Sequence, residues 1–510
     1  METGERLTDA APEGFAQRVR SALAWRYGGQ VAAQLITWSS TILVVRLLDP
    51  ADYGLFAMSQ VVVTALAFLN GYGFAGALIQ ADSIDERDIG QAFGLLLLTN
   101  TALAIAQFLL APLAADYFGQ PLLTDILRLQ VLLFLVVPFI ALPDALLARK
   151  ISFRFQALAS MSGAITGAAT ALGMAWFGYG VWALVVAPIL AFGARAVVLV
   201  LAAKLRNRPR FGFRGAGAMI GFGGAMIACQ FFWIVQSQAD IVIAGRRFEI
   251  HDLGLYSEAL FLALIVTGRF LPPINEVAFP AYSELHKAGR SLAPYFERVL
   301  RSVALITAPI YVGLALTAPE AVLTLFGEKW AEMAPIAQGL ALAMPFFALQ
   351  IVCSPTTNAM GQPRIYVMTS ACGAAIFVTC FAFGAAYGPM GLVHAWWVAA
   401  PMLLAVTLAL TLPRIGMAPS RLVAALAPAA IACGVMALAV TSVSALLPAD
   451  PPWARLLVMV PVGAVAYVAT IWFGWRDMVR DSWAMLRNRA PQPPAASGPT
   501  PAGRTSTTAD

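Results

Sequence analysis

Residues 46–56 read RLLDPADYGLF, and residues 246–256 read RRFEIHDLGLY. At this offset of 200, Arg46/Arg246, Asp52/Asp252, Gly54/Gly254 and Leu55/Leu255 are identical. Asp49/Glu249 and Phe56/Tyr256 are similar, and Gln30/Gln230 keeps the same offset in the apolar stretch before each copy. At offset 207, Pro138-Phe-Ile-Ala-Leu142 matches Pro345-Phe-Phe-Ala-Leu349. Apolar coincidences mean little in a hydrophobic chain, but matched arginine, aspartate and glycine mean more. The chain therefore reads as two copies of one unit.

The units are built for lipid. Of 510 residues 60% are hydrophobic and 12% charged, against roughly 45–50% and about 25% in a soluble domain. Apolar runs of the ~20 residues needed to cross a bilayer as a helix recur at 24–46, 54–80, 89–113, 126–147, 155–177, 179–203, 217–245, 253–280, 297–317, 331–354, 364–386, 390–413, 422–446 and 455–475. The expected fold class is an all-α polytopic membrane protein with fourteen transmembrane helices. A closed β-barrel would show alternating segments of ~10 residues instead.

Orientation follows from the cations. With residue 1 inside, the cytoplasmic segments hold 25 arginines and lysines and the external ones six. This predicts a multi-pass protein of the bacterial inner membrane with both termini cytoplasmic. The first 20 residues have no apolar core, so no cleavable signal peptide is expected and the first span directs insertion. The strongest cytoplasmic signal is Lys204-Leu-Arg206-Asn-Arg208-Pro-Arg210. The net charge of +6 fits cationic loops facing an anionic leaflet, and no nucleic acid partner is implied. Segments 281–296 and 318–330 read as the longest loops, each with room for a short interfacial helix. The five cysteines lie in apolar stretches without a CxxC pair and read as free thiols.

Six spans separate Asp52 from Asp252, an even number, so the two copies run parallel. The expected organisation is a cytoplasmic N-terminal tail (1–23), an N-lobe of helices 1–6 (24–204), a basic cytoplasmic linker (205–216) and a C-lobe of helices 7–12 (217–413). Helices 13–14 (414–476) come next, then a cytoplasmic tail (477–510) disordered towards its Pro/Ala/Ser/Thr-rich end.

The run at 46–56, Gly178-Tyr-Gly-Val-Trp-Ala-Leu184 and the turn Gly361-Gln-Pro-Arg364 resemble the signatures of Wzx-like bacterial polysaccharide flippases. These form the polysaccharide transport branch of the multidrug/oligosaccharidyl-lipid/polysaccharide (MOP) exporter superfamily. The resemblance covers about residues 20–475. It implies two six-helix lobes with an appended pair. It also implies movement of an undecaprenyl-diphosphate-linked oligosaccharide from the cytoplasmic to the periplasmic leaflet, for exopolysaccharide or lipopolysaccharide synthesis. Functional association with a polysaccharide polymerase and a chain-length regulator is implied by the same pathway.

A diphosphate headgroup needs a polar path through ~30 Å of hydrocarbon, while its lipid tail can stay outside. Arg26, Gln30, Gln34, Thr37 and Thr41 share one face of the first span. In the seventh span Gln230, Trp233, Ser237 and Asp240 answer them. Both faces are expected at a central cleft, although interhelical hydrogen bonding explains neutral residues equally well. Arg269, deep in the eighth span before Pro272-Pro273, is costly in lipid unless it meets water or a partner. It is expected on a cationic cavity wall, with an ion pair to Glu258 or Asp240 as the alternative. Arg195 either joins the cavity or snorkels. Asp240 and Glu258 are the candidate coupling sites for H⁺ or Na⁺, unless they pair with Arg246 or Arg247. Gly71, Gly73 and Gly76 suit close helix approach.

There is no Gly-Lys dipeptide, hence no phosphate-binding loop of the ATPase type. Three histidines without HExxH or a Cys/His cluster argue against a metal site, and a GxSxG elbow is absent. The expectation is a transporter, not an enzyme, without cofactor or metal. Two alternatives remain: a lipid II or multidrug exporter of the same fold, and a membrane polysaccharide polymerase or ligase.

Overall fold

The computed structural model describes residues 12–70, 76, 78, 84–149, 153–205, 207–211, 217–448 and 450–476, with side chains from residue 28 onward except 217–230 and 363. The tails 1–11 and 477–510, the side chains of Arg26 and Gln230, and residues Gly71 and Gly73 lie outside the described residues.

The described chain is helical. The elements are α1 (Pro12–Leu47), α2 (Pro50–Ala67), α3 (Glu86–Phe118), α4 (Leu122–Val136), α5 (Pro138–Arg149), α6 (Phe153–Trp176), α7 (Val181–Ala203) and α8 (Gly217–Arg247). The second half adds α9 (Ile250–Lys287), α10 (Ala293–Leu325), α11 (Met333–Ile351), α12 (Ser354–Ala359), α13 (Pro363–Gly384), α14 (Gly388–Ile415), α15 (Pro419–Leu446) and α16 (Pro452–Gly474). Punctuation is local. Proline opens α2, where a missing N–H costs nothing. Asp85 caps α3 by accepting the Asp88 N–H at 2.7 Å, and Asp88 returns a bond to the Asp85 N–H at 3.1 Å. The bond from the Asp88 N–H holds the Asp85 carboxyl below its ordinary range. Gly119, at φ 67°, ends α3 in the left-handed conformation that glycine adopts without strain.

Ten helical stretches among the described residues are long and apolar enough to cross a membrane; Leu122–Arg149 joins α4 to α5, and Arg364–Ile415 joins α13 to α14. Helices α1, α2 and α8 are not among them; α1 and α8 carry the polar stripes read from the sequence. Two expected loops are largely helix. Helix α9 runs on to Lys287 and α10 reaches Leu325, leaving a short connection and one 3-10 turn at Glu328–Trp330. Hydropathy marks where lipid ends, whereas a helix continues through charged residues of good propensity.

In the first half, α6 packs against both α1 and α7, α3 against α4, and α5 against α7. In the second, α11 packs against α9, α10 and α14, and α13 packs against α8 and α14. Helices α15 and α16 pack on each other and on α10. The Arg455 Nε donates to Glu320 Oε1 at 2.9 Å and its Nη2 to Ser444 Oγ at 2.6 Å, tying the C-terminal pair to α10. The basic connection after α7 lies on α3. The Arg210 N–H donates to the Gly90 carbonyl at 2.8 Å, and a side chain at Gly94 would overlap the Arg210 carbonyl oxygen.

The halves meet through α2 and α9. The glycines matched in the sequence repeat touch here: a Cβ on Gly54 would overlap the Ile250 carbonyl oxygen, and one on Gly254 would overlap that of Pro50. The same end carries further ties. Arg46 donates from Nε to the Leu325 carbonyl at 2.9 Å and from Nη2 to the Thr324 carbonyl. Lys329 pairs with Asp49 at 2.8 Å. Trp330 donates from Nε1 to the Val45 carbonyl at 3.0 Å and meets the Tyr53 ring edge-on at 5.3 Å.

Candidate functional site

A cavity of about 540 Å³ runs along α1, α6 and α7 and is also lined by Tyr53 and Phe56 of α2 and by Glu258 and Phe261 of α9. Most of its uncharged polar lining comes from α1, through Gln30, Gln34, Thr37, Ser40 and Thr41, with Ser160 added from α6. Four of these are the stripe read from the first span, so the spacing of three and four puts them on one side as helix geometry requires. The hydroxyls of Thr37 and Thr41 donate to carbonyls one turn back, both at 2.9 Å. Gln30 and Gln34 make no hydrogen bond to the described residues and present free amides. Sequence reading missed the opposite wall. Helix α6 supplies Gly163, Ala164, Gly167 and Ala168, and α7 supplies Ala183, Ala187 and Ala191. A Cβ on Gly163 would stand 3.0 Å from the Ala191 carbonyl oxygen, and one on Gly167 would stand 3.1 Å from Ala191 Cβ. The small residues therefore bring α6 and α7 together and leave open volume facing α1. Their four-residue spacing was the available signal.

Two charged side chains line the cavity, Arg195 from α7 and Glu258 from α9. The Arg195 Nε is buried without a hydrogen-bond partner. Glu258 forms no ion pair or hydrogen bond with the described residues. Tyr53 also lines the space; it is 4% exposed, and its hydroxyl has no partner. Along α7 the lining runs from Ala183 to Arg195, about 18 Å of helix rise. Arg195 thus marks one end. Val44, Tyr53 and Glu258 mark the other, where α2 and α9 are pinned together.

Among the described residues the lining carries one arginine and one glutamate, against the expectation of a cationic cavity; the side chain of Arg26 lies outside the described residues. The sequence does not say which way Glu258 turns, and it turns inward because α9 lays that face against the α1–α7 side. Arg269 is exposed and does not line the cavity. It lies eleven residues beyond Glu258, on the same helical stripe to within about 20° and some 16 Å further along. The alternative ion pair with Glu258 or Asp240 does not form.

Asp240 is 2% exposed and sits inside the second half. It accepts from the Tyr256 hydroxyl at 2.9 Å and from the Ile241 N–H at 2.8 Å. The Trp396 Nε1–H donates to the Tyr256 oxygen at 2.9 Å. Phe347, Phe377 and Phe381 surround Trp396. Asp240 therefore meets neither of the neighbouring arginines: Arg246 stacks on Tyr117, and Arg247 donates to the Ala382 carbonyl at 2.7 Å. Trp233 packs edge-on against Phe68 at 5.1 Å, and Ser237 bonds back to its own helix.

Comparison with known proteins agrees with this architecture. A family model described as "Polysaccharide biosynthesis protein" matches residues 43–335. The succinoglycan biosynthesis transport protein ExoT of Rhizobium meliloti (strain 1021) is 25% identical over 377 residues, covering 74% of this chain and 76% of that protein. The lipopolysaccharide biosynthesis protein WzxC of Escherichia coli (strain K12) is 24% identical over 302 residues, covering 58% and 61%. Among solved structures, the lipid II flippase MurJ in an inward closed conformation superposes with a TM-score of 0.72 at 13% identity, covering 88% of this chain and 98% of that one. An inward-facing multidrug resistance MATE family transporter of the MOP superfamily gives 0.60 at 14% identity, covering 75% and 94%.

Proposed function

Because the chain belongs to the polysaccharide biosynthesis protein family, we propose that it is a flippase carrying an undecaprenyl-diphosphate-linked oligosaccharide from the cytoplasmic to the periplasmic leaflet. The observation that carries this reading is the cavity along α1, α6 and α7, largely apolar but with a stripe of amides and hydroxyls on α1, an unpartnered arginine at one end and the two halves pinned at the other. A headgroup entering at Arg195 meets free amides and hydroxyls while its lipid tail stays in the bilayer. Transport needs no nucleophile, and the reading is of a carrier rather than a polymerase or ligase.

In this account fourteen helices form two parallel lobes, 24–204 and 217–413, with 414–476 attached to the second. Both termini face the cytoplasm of the inner membrane. The pinned end faces the periplasm, and rocking of the lobes opens it in turn. Arg269 guides the diphosphate to Arg195 from the cytoplasmic side, and Arg26 and Gln230 are assigned to the same path from their positions in the sequence alone. A coupling ion, H⁺ or Na⁺, acts at Glu258, the carboxylate open to the cavity. Asp240, with both oxygens engaged, ties α8 to α9. Any such ion must bind the two states with different affinity to drive the exchange. The polymerase and chain-length regulator act downstream on the delivered unit.

The test is complementation of a deletion strain that depends on this gene for its polymer. At equal protein level, Arg195→Ala should lower polymer output about tenfold or more, the scale of one lost charged contact, and Arg195→Lys should restore part of it. Full output from Arg195→Ala would overturn the reading.

A further inference from the structure

We propose that residues 204–211, the strap between α7 and α8, bind anionic phospholipid headgroups of the cytoplasmic leaflet, at a lipid site separate from the substrate cavity. This inference goes beyond the flippase reading and shares with it only the orientation of the chain.

The strap is held in place by contacts that leave its charges unused. Leu205 packs against the apolar cluster that contains Phe93 of α3 and Leu142 of α5. Pro209 disfavours helical backbone at Arg208, and no helix forms over 207–211. The Arg210 N–H donates to the Gly90 carbonyl at 2.8 Å. A Cβ on Gly94 would overlap the Arg210 carbonyl oxygen, and one on Gly90 would stand 3.0 Å from Arg210 Cγ and 3.1 Å from the Arg208 carbonyl oxygen. Glycine at both positions is what lets this irregular backbone lie so close to the helix. The Arg210 backbone therefore sits at Gly94, and its stem runs back over Gly90, one turn towards the start of α3.

Lys204, Arg208 and Arg210 are exposed, and none of them forms an ion pair or side-chain hydrogen bond with the described residues. Asp85 and Asp88 are engaged in capping α3, and Glu86, one turn before Gly90, pairs with neither arginine. Phe211, 61% exposed, follows the cations directly. Unpaired cations ending in an exposed aromatic ring suit an anionic membrane surface, with the charges at the phosphates and the ring among the upper acyl chains. Depth agrees with this partner. Helix α3 has 33 residues, about 50 Å of rise against ~30 Å of hydrocarbon, and its apolar run begins at residue 89. The strap on Gly90 and Gly94 therefore lies where acyl chains give way to headgroups. None of residues 204–211 lines the cavity, so the phosphates they meet belong to the surrounding leaflet and not to a substrate held along α1 and α7.

The probes are phosphatidylglycerol and phosphatidylcholine with the same acyl chains and the same photoactivatable group near the headgroup. Either is added in trace to nanodiscs of the two unlabelled lipids in equal parts around the full-length protein, and labelled peptides are identified by mass spectrometry. Each cation near an anionic surface contributes about fivefold, so phosphatidylglycerol should label 204–211 about tenfold or more above phosphatidylcholine. In the triple variant Lys204→Gln, Arg208→Gln, Arg210→Gln the ratio should fall to about twofold or less. Excess farnesyl diphosphate, a short stand-in for a lipid diphosphate substrate, should leave labelling of the strap unchanged. Equal labelling by the two probes in the unaltered protein, or an unchanged ratio in the triple variant, overturns the inference. So does displacement by farnesyl diphosphate, which would make the strap part of the substrate route. All three outcomes leave the flippase reading standing on its own test at Arg195. Because the ratio and the displacement are read on the unaltered protein, the test survives a variant that fails to fold.

Discussion

Tyr256 links two buried partners, Asp240 and Trp396. Its hydroxyl donates to Asp240 and accepts from Trp396, and all three side chains are buried. Tyr256→Phe keeps the ring and its packing but strands an aspartate oxygen and an indole N–H. Each stranded buried group costs about 1–3 kcal/mol. The expected outcome is a fall of several degrees in the midpoint of thermal unfolding, with affinity for farnesyl diphosphate unchanged. Lost affinity at unchanged stability would instead make the Asp240 cluster part of the transport path. Glu258 and Asp240 carry the same carboxyl group in different surroundings. One carboxylate is consumed by its own half of the molecule, and the other is left open to a cavity that the opposite half builds.

At the level of helices, the α2–α9 crossing is governed by Gly54 and Gly254. Backbone atoms of one helix occupy the space where the other would carry a Cβ, and glycine is what permits such an approach. Gly54→Ala or Gly254→Ala must push the two helices apart at the pinned end. The expected result is increased labelling of a cysteine placed at Thr41 by an impermeant maleimide applied from the periplasmic side. Unchanged labelling in a folded variant would mean that the crossing does not control access. The small-residue wall of α6 and α7 works in the same way within the first half, except that there close packing of two helices makes room for a third surface.

Among the described residues the two halves differ at their centres despite the repeat. The first half encloses a cavity walled by glycine and alanine. The second is filled at its centre by Trp396 and the phenylalanines around it, with the Asp240 relay alongside. On the proposed reading, substrate handling falls to the first half together with one face of α9. If the halves must separate at the pinned end in each cycle, a covalent tie there stops transport. Asp49→Cys combined with Lys329→Cys places two thiols across the halves at the site of the ion pair, which a reducible bis-maleimide can bridge. Polymer output should cease on cross-linking and return on reduction, while either single variant stays active. Activity of the cross-linked double variant would show that this end never opens.

Much of this architecture was legible in the linear chain. Composition and run length settle that the protein is helical and built for a bilayer, because backbone polar groups in hydrocarbon must be satisfied within their own segment. The repeat at 46 and 246 pointed to two equivalent corners, and the polar stripe of α1 lines the cavity as its spacing requires. Four things were not legible: that Gly54 and Gly254 would touch each other, that Glu258 would turn into the first half's cavity while Asp240 turned away, that Arg269 would stand outside the enclosed space, and that alanines and glycines of α6 and α7 would form its wall. Each depends on which helix lies opposite. Spacing along one helix says which residues share a face; what that face meets is set by packing between segments distant in the chain, and no local pattern encodes it.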